Sequence, residues 1–468
     1  MNPSHREPGP GSSEGSDAIP PVVSSAAGGY AARLGLFSGT MLVVGGIIGS
    51  GIFLSPAVVA QRVGTAGLTL GAWGLGALVA LIGAFVYAEL GARLPRTGGT
   101  YVYLREAYGR FPAFMYGWAL FFMIGSGAIA AVSMTSASYA ASLLGWSEAT
   151  IRPTATVMVV LLVALNIAGV KIGAIAGNIL TVLKLAAIAI LIVAAFALAP
   201  AYAEQLPVVT APPAAPDGVG AAVLAMAAAL VPVLFTFGGW QQSSAVAEEL
   251  RDPARTLPRA LIGGVLIVVA AYLLVNLAYL RALGVDGLAA STAPAADAMA
   301  LYLGPAGRTL IAAGILVSTL GFNCMVILMS ARVSQTMAAD GLFLASMAQL
   351  HPVLRTPIVA LVAQALVILV LIATGSYGQL LDYVVFADWI FFTATAATIF
   401  VWRARERQAG TSSPGVRVPL HPFSTLIFMA CGAYVVVGSV LSNPGNAVRG
   451  VIAFAIGVPA YLYWQRRS

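Results

Sequence analysis

The chain of 468 residues is 59% hydrophobic and only 9% charged, against roughly 25% charged residues in a soluble globular domain. With a mean hydropathy of +0.91 and apolar runs of about 20 residues along nearly its whole length, it excludes a soluble Rossmann or barrel enzyme and reads as an all-α polytopic membrane protein. A net charge of +7 would suggest a nucleic-acid partner for a soluble protein, but the placement of the basic residues removes that reading.

Residues 1–29, rich in Gly, Ser, Pro and Ala and without an apolar h-region, are expected to form a disordered cytoplasmic tail and not a signal peptide. Residues 30–465 are expected to form a single transmembrane domain of about twelve helices. Hydropathy puts these spans near 34–60, 68–92, 111–143, 154–171, 178–199, 221–247, 258–280, 308–337, 357–374, 380–402, 424–441 and 447–464. The first ten divide into inverted repeats over about 34–199 and 221–402, with two extra helices over about 424–464. An even number of spans leaves both termini on one side. With the tail inside, the inner loops and ends collect Arg93, Arg96, Arg105, Arg255, Arg332, Arg403, Arg405 and most other basic residues. The outer loops hold only Arg62, Arg152, Arg281, Arg308 and Arg449. That asymmetry obeys the positive-inside rule, so both termini are expected in the cytoplasm of a cell-membrane protein.

The two cysteines, Cys324 and Cys431, lie in separate apolar segments, so neither a disulfide framework nor a CxxC metal site is expected. His5, His351 and His421 fall in the tail or in polar loops, which leaves no imidazole in the membrane as metal ligand or general base. No metal and no cofactor is expected. An intramembrane serine hydrolase built on Gly49-Ser50-Gly51 would lack its base, and no P-loop is present for ATP-driven transport.

Two spans interrupt their own helical pattern with glycines. The first contains Gly45-Gly46-Ile47-Ile48-Gly49-Ser50-Gly51-Ile52-Phe53, and the sixth contains Phe235-Thr236-Phe237-Gly238-Gly239-Trp240-Gln241-Gln242. Close helix packing through small residues accounts for such glycines in one reading. In the other, both helices unwind near mid-membrane, which a bilayer tolerates where the freed backbone lines a cavity. Interrupted segments five helices apart are the pattern expected of a transporter site between inverted repeats. The amides opening the half-helix beyond Gly49 and Gly51, with the Ser50 hydroxyl, suit a carboxylate. The carbonyls of Ile47, Phe235, Thr236 and Phe237 suit an ammonium group. A small molecule with both is an α-amino acid, its side chain set against Phe235, Phe237, Trp240 and the small-residue face around Gly125 and Ala128. Gly238 completes the second break. Neither break contains an acidic residue, which favours a neutral side chain.

Gly46-Ile47-Ile48-Gly49-Ser50-Gly51-Ile52-Phe53 resembles the substrate-carboxylate motif of the amino acid–polyamine–organocation superfamily, in particular its L-type amino acid transporter branch and bacterial relatives. Tyr87-Ala88-Glu89-Leu90-Gly91 through Thr100-Tyr101-Val102-Tyr103-Leu104-Arg105-Glu106-Ala107-Tyr108-Gly109 is similar to its signature across spans two and three. Phe237-Gly238-Gly239-Trp240 with Glu248-Glu249-Leu250-Arg251-Asp252-Pro253 is similar to its sixth helix and following loop. Arg332 through Met337-Ala338-Ala339-Asp340-Gly341 resembles the end of its eighth, with Ala339 in place of the usual arginine. The resemblance covers about residues 30–465. It implies a LeuT-type fold of two five-helix inverted repeats, with broken helices one and six at the site. It also implies an amino acid permease working as exchanger (antiporter) or proton-linked symporter. The loop at about 145–152 lacks the cysteine that links eukaryotic members to a glycoprotein, so no covalently linked heavy subunit is expected. Amino acid and bilayer are the expected partners, with a homodimer open.

Lys184, inside the fifth apolar span, is costly there. It either snorkels about 9 Å to the inner interface from a helix beginning near Asn178 or, as the resemblance implies, stands against the unwound first helix in place of a sodium ion. Asp388, in the tenth span, is read either as a solvated vestibule residue or as a gating or proton-linked carboxylate. Glu89 and the Glu248-Glu249 pair, beside arginines at inner helix ends, are expected to be structural. A transporter-like sensor, and a permease for polyamines or cationic amino acids, stay open as alternatives.

Overall fold

A computed structural model describes residues 32–201, 215–375, 377–411, 415–442 and 444–467. The tail expected over 1–29, with Arg6 and His5, lies outside them.

The described residues are helical apart from short turns, with one isolated parallel bridge between Leu34 and Leu250. The first span is two helices, α1 (Leu36–Ile47) and α2 (Gly51–Val63), bent by 44°. Gly64, at φ +65°, ends α2, and the Thr65 side chain accepts a bond from Leu68 N to start α3 (Ala66–Arg93). After α4 (Thr100–Tyr108), the third span runs through α5 (Arg110–Ala119), a π-helical turn over Leu120–Ile124, and α6 (Gly125–Leu144). Then follow α7 (Ile151–Ile167), α8 (Val170–Ala197), α9 (Gly218–Thr236) and a 3-10 segment over Trp240–Glu249. The longest helices, α10 (Pro253–Ala290) and α11 (Pro294–Ala339), kink at Gly284 and Gly304, both at positive φ. Finally come α12 (Ile358–Thr374), α13 (Tyr377–Ala409), α14 (Phe423–Ser442) and α15 (Pro444–Gln465).

Among the described residues nine helices are long and apolar enough to cross a membrane, or ten with the bent pair as one span, and α12 is a shorter apolar helix. Val157, Val160 and Leu161 on α7, and Val219, Val223 and Leu224 on α9, are exposed, an apolar surface suited to lipid. The third span, by contrast, is almost wholly enclosed by its neighbours.

One expected boundary needs correction. The helix carrying Lys184 begins at Val170, after a turn with Gly169 at φ +134°, and not near Asn178. Gly169 is the actual breaker, whereas the polar residues up to Asn178 continue the helix. Lys184 therefore sits about 21 Å along α8, not about 9 Å.

Ion pairs knit one end of the bundle. Glu89 is buried and accepts from Arg93 at 2.6 Å, Arg403 at 2.8 Å and Val418 N at 2.6 Å. Arg332 donates to Glu249 at 2.8 Å, both side chains fully buried, and Glu248 accepts from Thr97 N. Arg105 and the Tyr101 hydroxyl both reach Asp340. Removing one partner of a buried pair orphans the other, at about 3–5 kcal/mol, so these acidic groups hold the ends of α3, α11 and α13 together.

Candidate substrate site

The two glycine-rich segments meet. An added Cβ on Gly239 would lie 2.1 Å from Gly46 O, and one on Gly51 would lie 2.8 Å from Thr236 Oγ1. Such approaches exist only without side chains, and Gly239, at φ +109°, also takes a backbone conformation that disfavours any other residue. The sixth span thus stops at Thr236 because Gly238 and Gly239 turn the chain, and it resumes in the 3-10 segment after Gly239.

The carbonyls released from α1 find donors on neighbouring helices. Lys184 Nζ, fully buried, donates to Ile48 O at 2.6 Å and Gly45 O at 3.2 Å. Ser318 Oγ on α11 lies 3.3 Å from Ile48 O and 3.2 Å from Gly49 O. Tyr272 OH on α10 is shared between Ile47 O at 3.4 Å and Thr236 O at 3.3 Å, the last carbonyl of each half-helix. At the start of α2 Phe53 N donates to Ser50 O at 3.1 Å and no described side chain caps the helix, whose opening amides carry its positive dipole end.

Between the breaks lies a cavity of about 70 Å³. A water needs only about 10–15 Å³ by this measure, so the space takes a few waters or a small ligand. Its wall includes Ile47, Gly49, Ser50, Gly51, Phe235, Thr236 and Gly238 from the breaks, Ala128 from α6 and Asp388 from α13. Ser50 faces it from the start of α2, and the described lining contains no Lys, Arg or His.

The remaining expected site residues stand behind this wall. Phe237 is buried against Trp73 and Tyr272, with ring centroids 5.9 and 5.0 Å away. Trp240 packs on Phe392 at 5.3 Å and backs a ring that does face the cavity. Gly125 follows the π-helical turn, where an added Cβ would lie 2.7 Å from Ser330 Oγ. Lys184 does not line the cavity but reaches the outer side of the first break.

Several lining residues escape a reading of the two breaks. Val384, Val385, Trp389 and Phe392 share a face of α13 with Asp388, and their spacing of three and four residues was a usable signal. Phe322 on α11 covers Gly49, 3.4 Å from where its Cβ would be. Gln242 contributes a buried Oε1 with no hydrogen-bond partner, which makes it an unused acceptor at the cavity wall.

Residues 34–460 match the amino acid permease family. The chain is 32% identical over 446 residues to the serine/threonine exchanger SteT of Bacillus subtilis, covering 94% of this chain and 98% of that protein. It is 29% identical to the mouse large neutral amino acids transporter small subunit 2, covering 97% of this chain and 86% of the relative. With the rat b(0,+)-type amino acid transporter 1 it shares 28% identity, over 88% and 83% of the two chains. The motifs around the two breaks and this full-length likeness agree: the chain is a multi-pass membrane protein that belongs to the amino acid permease family, whose members are transporters and not enzymes.

Proposed function

We propose that this protein is a secondary transporter that carries small neutral L-amino acids across the cell membrane by alternating access, as an exchanger or a proton-linked symporter. The observation that carries the reading is the cavity between two broken helices, with the uncapped start of α2 on one side and the carbonyl end of α9 on the other. The substrate carboxylate meets the amides at Gly49–Gly51, and its ammonium meets carbonyls of Ile47, Phe235, Thr236 or Phe237. The limited volume favours a short side chain, and SteT, named as a serine/threonine exchanger, supports a hydroxyl-bearing one. Asp388 then accepts the side-chain hydroxyl.

The same proposal includes twelve helices in the LeuT-type arrangement, with inverted repeats over about 34–199 and 221–402 and both termini cytoplasmic. Lys184 braces the first break during the cycle. With cysteines only at positions 324 and 431, the chain works without a disulfide-linked heavy subunit.

Asp388 also favours a second reading, a permease for cationic amino acids, because a half-buried carboxylate without a basic neighbour on the wall attracts a cation. Uptake into proteoliposomes decides between them. Serine, threonine, alanine, leucine, lysine and putrescine are offered with and without internal substrate and a pH gradient. Serine and threonine uptake stimulated by internal substrate or by inward protons supports the proposal. Uptake of lysine alone replaces it with the second reading, and binding without accumulation of any of them makes the protein a sensor.

A further inference from the structure

A pocket of about 370 Å³, larger than the cavity between the breaks, lies at the arginine-rich end, where α1 starts against α8. Arg33 and Arg251 both line it. They are brought together by the backbone: Arg33 N and Leu34 N donate to Glu249 O at 3.0 and 2.9 Å, and Arg251 N donates to Leu34 O at 2.8 Å. Both arginines are exposed, and neither guanidinium pairs with a described acidic side chain. Glu249 is committed to Arg332 inside the bundle, and Asp252 reaches Arg255 at 3.8 Å. Two cations thus line one void without a described acidic partner, an arrangement that favours an anion between them.

The opposite wall is supplied by α8, through Ala174, Ile175 and Asn178. Ile175 is 49% exposed, and Ile179 and Leu183, one and two turns further on, are 54% and 49% exposed. These three form an apolar track that leaves the pocket along the lipid-facing side of α8. Asn178 donates to Ser38 Oγ at 3.0 Å, which ties α8 to α1 at the pocket floor, and its Oδ1 has no partner.

We propose that this pocket is a binding site for the phosphate headgroup of an anionic phospholipid, with Arg33 and Arg251 holding the phosphate and an acyl chain lying on Ile175, Ile179 and Leu183. Guanidinium pairs suit phosphate because their planar forks match its oxygens. A free phosphate shares the headgroup chemistry, but it has no use for the apolar track, and the continuity of cation pair and track is what selects the lipid. A bound headgroup ties the start of α1 to α8 and to the segment around Arg251, one length of α1, about 18 Å, from the first break.

The test is native mass spectrometry of the full-length protein, delipidated in detergent and offered phosphatidylglycerol or phosphatidylcholine. Phosphatidylglycerol is expected to be retained in preference, and the Arg33→Gln/Arg251→Gln protein is expected to lose that preference by about tenfold. Arg33→Lys/Arg251→Lys should keep a reduced preference, since charge survives and bidentate geometry does not. If the double glutamine protein is not monodisperse, the single Arg251→Gln protein carries the test with about a threefold loss. Unchanged retention in these variants overturns the proposal. So does complete displacement of the lipid by millimolar inorganic phosphate, which would make the pocket a site for free anions. Retention is read without transport, so it fails or succeeds independently of the transported substrate.

Discussion

The two helix breaks are held open in different ways. The first, after Ile47, depends on other helices: Lys184 of α8 and Ser318 of α11 satisfy the carbonyls of Gly45, Ile48 and Gly49. The second, after Thr236, is closed largely by its own segment. Gly238 N donates to Phe235 O, Gln241 Oε1 accepts from Gly239 N, and the Thr236 hydroxyl turns back to Pro232 O. A break stabilised from outside can change when its neighbours shift, whereas one stabilised from within travels as a unit. Under the proposed alternating access, the first break is therefore where helix motion and ligand contact would be joined.

Gly239→Ala attacks the self-contained break and is expected to have the largest effect. Strain at φ +109° costs about 1–3 kcal/mol, and the clash with Gly46 O adds about 1–3 kcal/mol of overpacking. Loss of measurable transport is expected, together with a lower melting temperature of the purified protein. Transport near the wild-type level would show that the second break has freedom to rearrange and that the contrast drawn here is false.

Lys184→Ala attacks the externally held break and comes next in size. It leaves Gly45 O without its donor and Ile48 O with Ser318 alone, at about 1–3 kcal/mol. That penalty need not fall equally on outward and inward states, so turnover is expected to drop about ten- to a hundredfold while binding changes less. Lys184→Arg should also be impaired, since a planar guanidinium cannot occupy the space of a point ammonium between two carbonyls. Proteoliposome turnover beside equilibrium binding separates the two effects. Normal turnover in a well-expressed Lys184→Ala protein would leave the brace without a role.

These residues also mark how far the sequence could be read. The apolar spans and both glycine breaks were legible because hydropathy and backbone chemistry are local properties, and Ser50, Gly51 and Thr236 accordingly reached the cavity wall. Lys184 was legible as an anomaly, but its depth was not, because the start of α8 depends on a single turn at Gly169. The directions of Phe237 and Trp240 were hidden for a related reason. Beyond a break the helical period no longer carries over, and which ring faces the cavity is settled by packing against Trp73, Tyr272 and Phe392. The α13 face beside Asp388 had the right spacing, but nothing local to it says that it meets the breaks.

Asp388→Asn tests the α13 wall of the cavity. The amide keeps the size and one acceptor but loses the charge. Exchange of a charge-assisted bond from a substrate hydroxyl for a neutral one is worth about 1 kcal/mol, or about fivefold. Serine and threonine uptake should fall by that factor relative to alanine uptake, measured by competition on the same vesicles. An equal fall for all three substrates would move Asp388 from side-chain recognition to coupling or gating.

Tyr272→Phe is expected to have the smallest effect, and it probes a group that bonds to the carbonyl ends of both breaks. The hydroxyl lies 3.4 Å from Ile47 O and 3.3 Å from Thr236 O, long contacts that a single proton must share. The ring, packed on Trp73 and Phe237, stays in the variant, so no cavity is created. The loss should remain below about 1 kcal/mol, and transport within about fivefold of wild type. If the fall instead matches that of Lys184→Ala, the two breaks are not independent. The tyrosine would then couple their carbonyl ends, and the second break, for all its internal bonds, would share the first one's dependence on neighbouring helices.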